Sequence, residues 1–381
     1  MIKSRLAYID NIRLMVIIFA VLVHIAVTYS GFGIWAYNEP GEIGVFQTLF
    51  FGFFQAITQG YAMGLLFLIA GYFTPKSYDK KGFGKFLKDR LFRLGIPTLI
   101  SMLILTPMTY LIVNTLGEST IITGSFLTVY AEYITSFSFI GGSGPLWFAF
   151  ALLIFSVIYA LIRKFIVPKA VSSDKDIPAF PKILAFILLI SICTFLVRIV
   201  QPVGTDVINF QLPHFSHYIA MFIIGIKCRR NNWFEKLDYI AGKRWFIWGL
   251  SLGFVLFVSV LLLGSGPDGD LSVFDGGATW QSAAYSLWES FIVVSMSIGL
   301  IALFKERFNY QNRLIKTMSA NAFSVYAFHT PIIIVLTMLF APVSMIPIAK
   351  FAIASLIAVP VCFLVTNFTI QKIPLLRKIY A

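Results

Sequence analysis

Arg13 and His24 stand eleven residues apart in the apolar stretch NIRLMVIIFAVLVHIAVTY. In a helix that interval turns the chain about 1100°, three turns and about 20°, and advances it about 16 Å. Both side chains therefore leave one face. A guanidinium is a permanent cation with a planar fork of donors, and an imidazole accepts or releases a proton near neutrality. The face offers a fixed charge at one end and a proton acceptor deeper in. Taken singly, each has a simpler reading. Arg13 is then the basic flank of a membrane helix, and His24 a hydrogen-bond partner for a neighbouring helix. The shared face favours chemistry.

Four further groups call for the same weighing. YDKKGFGKFLKDRLFRLGIP, residues 78–97, repeats Phe83, Phe86, Leu87, Leu91 and Leu94 near helical spacing with cations between them. It predicts an amphipathic helix on a membrane surface, ending at Pro97. Arg90 and Arg93 share a face of it and suit either a phosphate clamp or attraction to anionic lipid. His329 lies mid-span in NAFSVYAFHTPIIIV, one turn after Tyr326 and two residues before Pro331. A proline there removes a backbone donor and exposes polar backbone, which predicts a cavity wall or a packed kink. His214 and His217 in LPHFSHY have the spacing of a zinc pair, with no third ligand evident. Glu289 in LWESF is an acid within reach of the membrane; pairing with His24 or Arg198, or contact with the interface, would each explain it.

The elements that must carry these residues follow from composition. Of 381 residues, 58% are hydrophobic, 16% aromatic and 12% charged. A soluble domain carries roughly 25% charged residues. Composition excludes a water-soluble globule. The net charge of +13 is not a nucleic-acid footprint, because in such a chain the basic residues collect in cytoplasmic loops. Cys193, Cys228 and Cys362 are too dispersed for a disulfide framework or a thiolate metal site.

Crossing about 30 Å of hydrocarbon takes about 20 apolar helical residues. Candidate spans fall near 12–32, 46–73, 94–115, 146–166, 182–200, 213–228, 245–264, 285–304, 320–341 and 347–370. The basic lead and apolar run at the start resemble a signal peptide, but Asp10, His24 and the later spans favour a retained helix. With ten spans, all of the 30 Lys and Arg residues except Arg198 and Lys350 fall on one side. The fold expected is an all-α integral membrane protein, a bundle of about ten transmembrane helices with both termini cytoplasmic. A single membrane domain spans 1–381, with its core at about 8–370. The opposite loops carry acids instead: Glu39, Glu42, Glu118 and Glu132, and Asp268, Asp270 and Asp275 in the turn-rich 265–277. A Ca²⁺ site is one reading of the latter, and a solvated turn the simpler one.

At these residues the chain resembles the bacterial acyltransferase family 3, multi-pass membrane acyltransferases that decorate surface glycans and other acceptors. YIDNIRLMVIIFAVLVH matches that family's opening, its Arg and His at Arg13 and His24. MGLLFLIAGYF is similar to a Phe-rich stretch ending Ser-Gly-Phe, with Ala70 for the usual Ser and Tyr72 after Gly71. FLKDRLFRLGIP, GPLWFAFALLIFSVIY and SVYAFHTPIII resemble its basic segment and its middle and late helices. Where many relatives carry a Glu pair after the middle Leu-Trp, this chain has Leu152 and Leu153. That looks closer to the branch associated with succinylating periplasmic glucans than to the O-antigen acetylases.

The resemblance implies transfer of an acetyl or succinyl group from cytoplasmic acyl-coenzyme A to a hydroxyl of an extracytoplasmic acceptor, a cell-envelope glycan being the leading candidate. The enzyme would sit in the cytoplasmic membrane and use no metal and no tightly bound cofactor. Its partners would be acyl-coenzyme A, the acceptor and the bilayer, not nucleic acid. His24 then becomes the general base, with Arg13 steering the donor beside it. Arg13, Arg90 and Arg93 are the cations for coenzyme A phosphates, and Trp147, Glu289, Tyr326 and His329 are the acceptor-site candidates. A secondary transporter or flippase of a polar small molecule is the competing reading. It suits the intramembrane histidines, although no pair of broken helices recurs in two halves.

Overall fold

A computed structural model describes residues 6–33, 35–39, 41–116, 125–166, 174–264 and 271–380. Glu118, Asp268 and Asp270, named above among the acidic loops, lie outside the described residues. Helices account for nearly all regular structure there, and the one β feature is an isolated bridge between Val207 and Phe210. In chain order they are α1 (Ala7–Ser30), α2 (Val45–Arg90), α3 (Ile96–Ile100), α4 (Thr106–Leu116), α5 (Phe126–Thr135), α6 (Trp147–Phe165) and α7 (Phe180–Val200). There follow α8 (Phe215–Asn231), α9 (Trp233–Lys236), α10 (Tyr239–Gly264), α11 (Trp280–Arg307), α12 (Arg313–Phe340), α13 (Pro347–Phe368) and α14 (Pro374–Tyr380).

Eight helical runs among the described residues are long and apolar enough to cross a membrane, by length and composition. The difference from the ten spans read in the sequence has two sources. α8 occupies the sixth predicted span but has only 17 residues. Val45–Leu116 is one helical run of 72 residues that contains both the second and the third predicted spans. Straight, it would measure about 108 Å, more than three bilayer cores. It turns instead at Gly82, where φ is 72° and ψ 174°. A left-handed φ of this kind is open to glycine at little steric cost.

Pro97 does not end the basic segment. The helix passes through it by way of a π-turn, Leu91–Gly95, in which the Ile96 amide reaches back five residues to the Leu91 carbonyl. A second π-turn, Ser101–Leu105, precedes Pro107 in the same way. The wider turn makes room for each proline ring, which a regular α-turn would force against a carbonyl. The apolar side of the segment packs on protein as well as facing outward, with Phe86 and Leu94 buried and Leu91 exposed.

α1 runs through the interior of the bundle. It packs against α2, α11, α12 and α13, and Ile9, Ile12, Val16 and Ile25 are inaccessible along its length. Its N-terminal end is tied by Asn11, whose Nδ2 donates to the carbonyls of Phe308 (2.7 Å) and Tyr310 (2.9 Å), while Gln311 Nε2 donates to its Oδ1 at 2.9 Å. α2 and α8 cross at van der Waals range. A Cβ on Gly71 would stand 2.1 Å from the Phe222 carbonyl oxygen, and one on Gly225 2.1 Å from that of Leu68. Backbones approach this closely only where a side chain is absent, a common device for packing helices in lipid. Near the same end Asp79 accepts from Arg163 at 3.0 Å and Arg230 at 2.7 Å, joining α2, α6 and α8.

Candidate active site

α1, α2, α4, α6, α8 and α12 enclose a cavity of about 480 Å³ at the end of the bundle away from Arg13. From α1 it is lined by Ala20, Val23 and His24. The His24 ring lies between two others. Trp35, in the segment after α1, stacks on it with centroids 4.0 Å apart and planes 14° apart. His329 stacks on the other side at 5.1 Å and 24°.

His329 is fully buried behind His24. Its Nδ1 stands 2.7 Å from the Tyr326 carbonyl oxygen. A carbonyl only accepts, so Nδ1 carries a proton and, in the neutral ring, Nε2 is a lone pair. That Nε2 is buried and has no hydrogen-bond partner among the described residues. Tyr326 lines the cavity but donates its hydroxyl to the Pro145 carbonyl, which fixes the phenol against the turn that starts α6. Ala327, Thr330 and Pro331 form the adjoining wall. Because Pro331 has no amide hydrogen, the Ala327 carbonyl loses its usual helical donor and remains available to the cavity. Of the two readings of this segment, cavity wall or packed kink, the structure gives the wall.

The opposite wall is aromatic and amide-rich. Trp147, at the first turn of α6, lines it together with Gln59, Tyr218, Asn209 and Gln211. The Trp147 and Tyr218 rings are 5.5 Å apart, and Gln59 Nε2 donates to the Tyr218 hydroxyl at 3.4 Å. Asn209 is held by donation to Ser143 Oγ (2.8 Å) and the Gly144 carbonyl (3.0 Å). Thr106 and Thr109 of α4 add hydroxyls. A flat aromatic surface beside amides and hydroxyls is suited to a polyhydroxylated ligand, whose ring faces are apolar and whose edges are hydrogen-bonding groups.

Glu289 is not part of this cavity, contrary to its place among the acceptor-site candidates. It is 1% exposed and forms an ion pair with the wholly buried Arg198 of α7. His214 Nδ1 lies 3.2 Å from its other carboxylate oxygen. A carboxylate so deep requires a charge partner, and Arg198, not His24, supplies it. The His214 ring is thereby engaged, and His217 Nε2 pairs with Ser290 Oγ at 3.1 Å. Among the described residues no three His, Cys, Asp or Glu side chains converge as a metal site would require.

Arg13, Arg90 and Arg93 gather at the other end of α1. The Arg13 side chain is 56% exposed, 4.0 Å from the Asp10 carboxylate. Arg90 lies over the Phe86 ring, 5.0 Å from its centroid, and feels the repulsion of both Arg13 and Arg93. Arg93 and Lys81 share the Asp89 carboxylate at 3.3 and 2.7 Å. Thus the three cations converge, and His24, Trp147 and Tyr326 line one cavity with His329 directly behind. The cavity does not reach the cations. Its innermost α1 residue is Ala20, seven positions from Arg13, or about 10 Å of helix.

Sequence reasoning missed Trp35, Gln59, Asn209 and Gln211. Gln59 had a readable signal, an amide inside an apolar span. Trp35, Asn209 and Gln211 sit in connecting segments, where neither period nor spacing points at a cavity.

The pattern of the family described as acyltransferase domain, acyltransferase family 3, matches residues 6–367. The chain belongs to this family. It is similar to glucans biosynthesis protein C of Escherichia coli O1:K1 / APEC, 25% identical over 346 residues, covering 86% of this chain and 82% of that one. It is similar also to the protein of that name in Escherichia coli K12 / DH10B, 27% identical over 232 residues, 58% of this chain and 57% of the other. No solved structure matches it significantly. Membership and the apolar helices together make it a multi-pass membrane acyltransferase.

Proposed function

We propose that the protein moves an acyl group from acyl-coenzyme A, bound at the cytoplasmic face, to a hydroxyl of a glycan on the far side of the cytoplasmic membrane. In this reading both termini are cytoplasmic and Arg13, Arg90 and Arg93 neutralise coenzyme A phosphates. His24 takes the proton of the acceptor hydroxyl as its oxygen attacks the thioester carbonyl carbon. The carbon–sulfur bond breaks, coenzyme A leaves as a thiolate, and the imidazolium returns the proton to it. The products are an ester and free coenzyme A. The observation that carries the reading is His24 itself, an imidazole opening into a cavity of hydroxyls, amides and aromatic rings, on the same helix as Arg13 of the cation cluster. A glucan acceptor is favoured by the name of the relatives and by the Trp147–Tyr218 wall. Succinyl is favoured as the acyl group by the sequence resemblance.

The test is reconstitution of the full chain in vesicles with acyl-coenzyme A outside and an oligoglucan inside, its ester content read by mass spectrometry. Transfer is expected for the natural chain and not for His24→Ala inserted to the same level. Normal transfer by His24→Ala would overturn the assignment.

A further inference from the structure

At the end of the bundle that carries Arg13, α12, the end of α13, the turn after it and α14 border an open hollow of about 490 Å³. Arg313, Lys316, Lys372 and Arg377 stand around it. Its floor is amide: Asn321 Nδ2 donates to Asn367 Oδ1 at 3.1 Å, and Gln371 Nε2 to Ser324 Oγ at 2.9 Å. Among the described residues no carboxylate lines it, and none of the four cations forms an ion pair there. Elsewhere, Asp10, Asp79, Asp89 and Asp174 each answer a neighbouring cation. Four like charges around one hollow raise its potential and favour a multiply charged anion there.

The surroundings say which anion. Leu314 of α12, Leu364 and Phe368 of α13, and Leu375 of α14 are exposed on the three helices that border the hollow, an apolar surface beside a cationic mouth. The lining contains no aromatic ring on which an adenine would stack. We propose that this hollow is a binding site for the phosphate headgroup of an anionic phospholipid, best filled by a lipid with two phosphates. The acyl chains lie along Leu364 and Phe368. Basic pockets between transmembrane helices take such headgroups by charge, and guanidinium forks add paired hydrogen bonds to phosphate oxygens. The inference needs only that the chain sits in a membrane and does not depend on the acyl-transfer reading.

The test compares the natural chain with the triple variant Arg313→Gln, Lys372→Gln, Arg377→Gln. A second variant, Lys243→Gln with Arg244→Gln, removes exposed charge from α10 instead. All five positions are exposed, so folding is not at stake. Each protein is washed in detergent, titrated with cardiolipin, phosphatidylglycerol or phosphatidylcholine, and bound lipid is counted by native mass spectrometry. Cardiolipin is expected to bind the natural chain and the α10 variant alike, and the triple variant about 100-fold more weakly, at roughly one charge-worth of attraction per residue removed. Equal cardiolipin binding by all three proteins would overturn the proposal. So would release of the lipid by millimolar coenzyme A, which would assign the hollow to the donor nucleotide.

Discussion

The imidazoles of His24 and His329 lie nearly parallel, their ring centres 5.1 Å apart, although 305 positions of chain separate them. Only one of the two rings lines the cavity. The other is anchored through Nδ1 to the Tyr326 carbonyl and backs the first. On the proposed mechanism the two should therefore fail differently. His24→Ala should lower transfer by about 10²–10⁴-fold, the range of a lost general base. His329→Ala should lower it by about 100-fold through misplacement of His24, with restoration by residues that refill the space. Initial rates in vesicles measure both, and equal rates for His329→Ala and the natural chain would remove the positioning role.

Neutralising Arg90 should act on the donor. Arg90→Gln is expected to raise KM for acyl-coenzyme A by about tenfold or more, the loss of one charge-assisted hydrogen bond, while kcat changes little. Salt should mimic the variant, because screening weakens the attraction between phosphate and an exposed cation cluster. A KM indifferent to both would move the donor elsewhere.

The Arg198–Glu289 pair makes a prediction about stability. Glu289→Gln leaves a buried guanidinium without its countercharge, and the expected destabilisation is about 3–5 kcal/mol. Replacing both partners, Arg198→Met with Glu289→Leu, should cost less than either single change. Thermal unfolding in detergent distinguishes the two outcomes. Additive losses would show that the pair is not the unit of stabilisation.

The α2–α8 crossing brings two backbones too close for any side chain at Gly71 or Gly225. Gly71→Ala or Gly225→Ala should force the helices apart at a cost of about 1–3 kcal/mol, visible as a lower unfolding temperature. An alanine at exposed Gly84, where a Cβ meets nothing within 4 Å, is the control and should be silent.

The helical class of the fold and the presence of Arg13 and His24 on one helix were legible because hydrophobicity and helical period report them directly. The side-by-side placing of cations was legible too, since charge counts sort loops. Arg198 and Lys350, the two basic residues that the count put on the opposite side, are both buried in ion pairs, with Glu289 and with Glu39. Their acids were visible in the sequence, but pairing depends on packing between distant helices, which no local pattern encodes. The continuity of Val45–Leu116 was hidden for a similar reason. Pro97 reads as a stop, and only the π-turn before it lets the helix continue. Trp35 was invisible because a connecting segment has no period to betray where it folds back.

That long run has a structural consequence. It lines the cavity through Gln59 and Met63, passes the cation cluster at Arg90, and meets the cavity again through Ser101 and Thr106. Between those two visits there is only helix, articulated at Gly82 and at the two π-turns. One stretch of backbone thus belongs both to two separate parts of the chamber wall and to the cation cluster that lies between them in the chain.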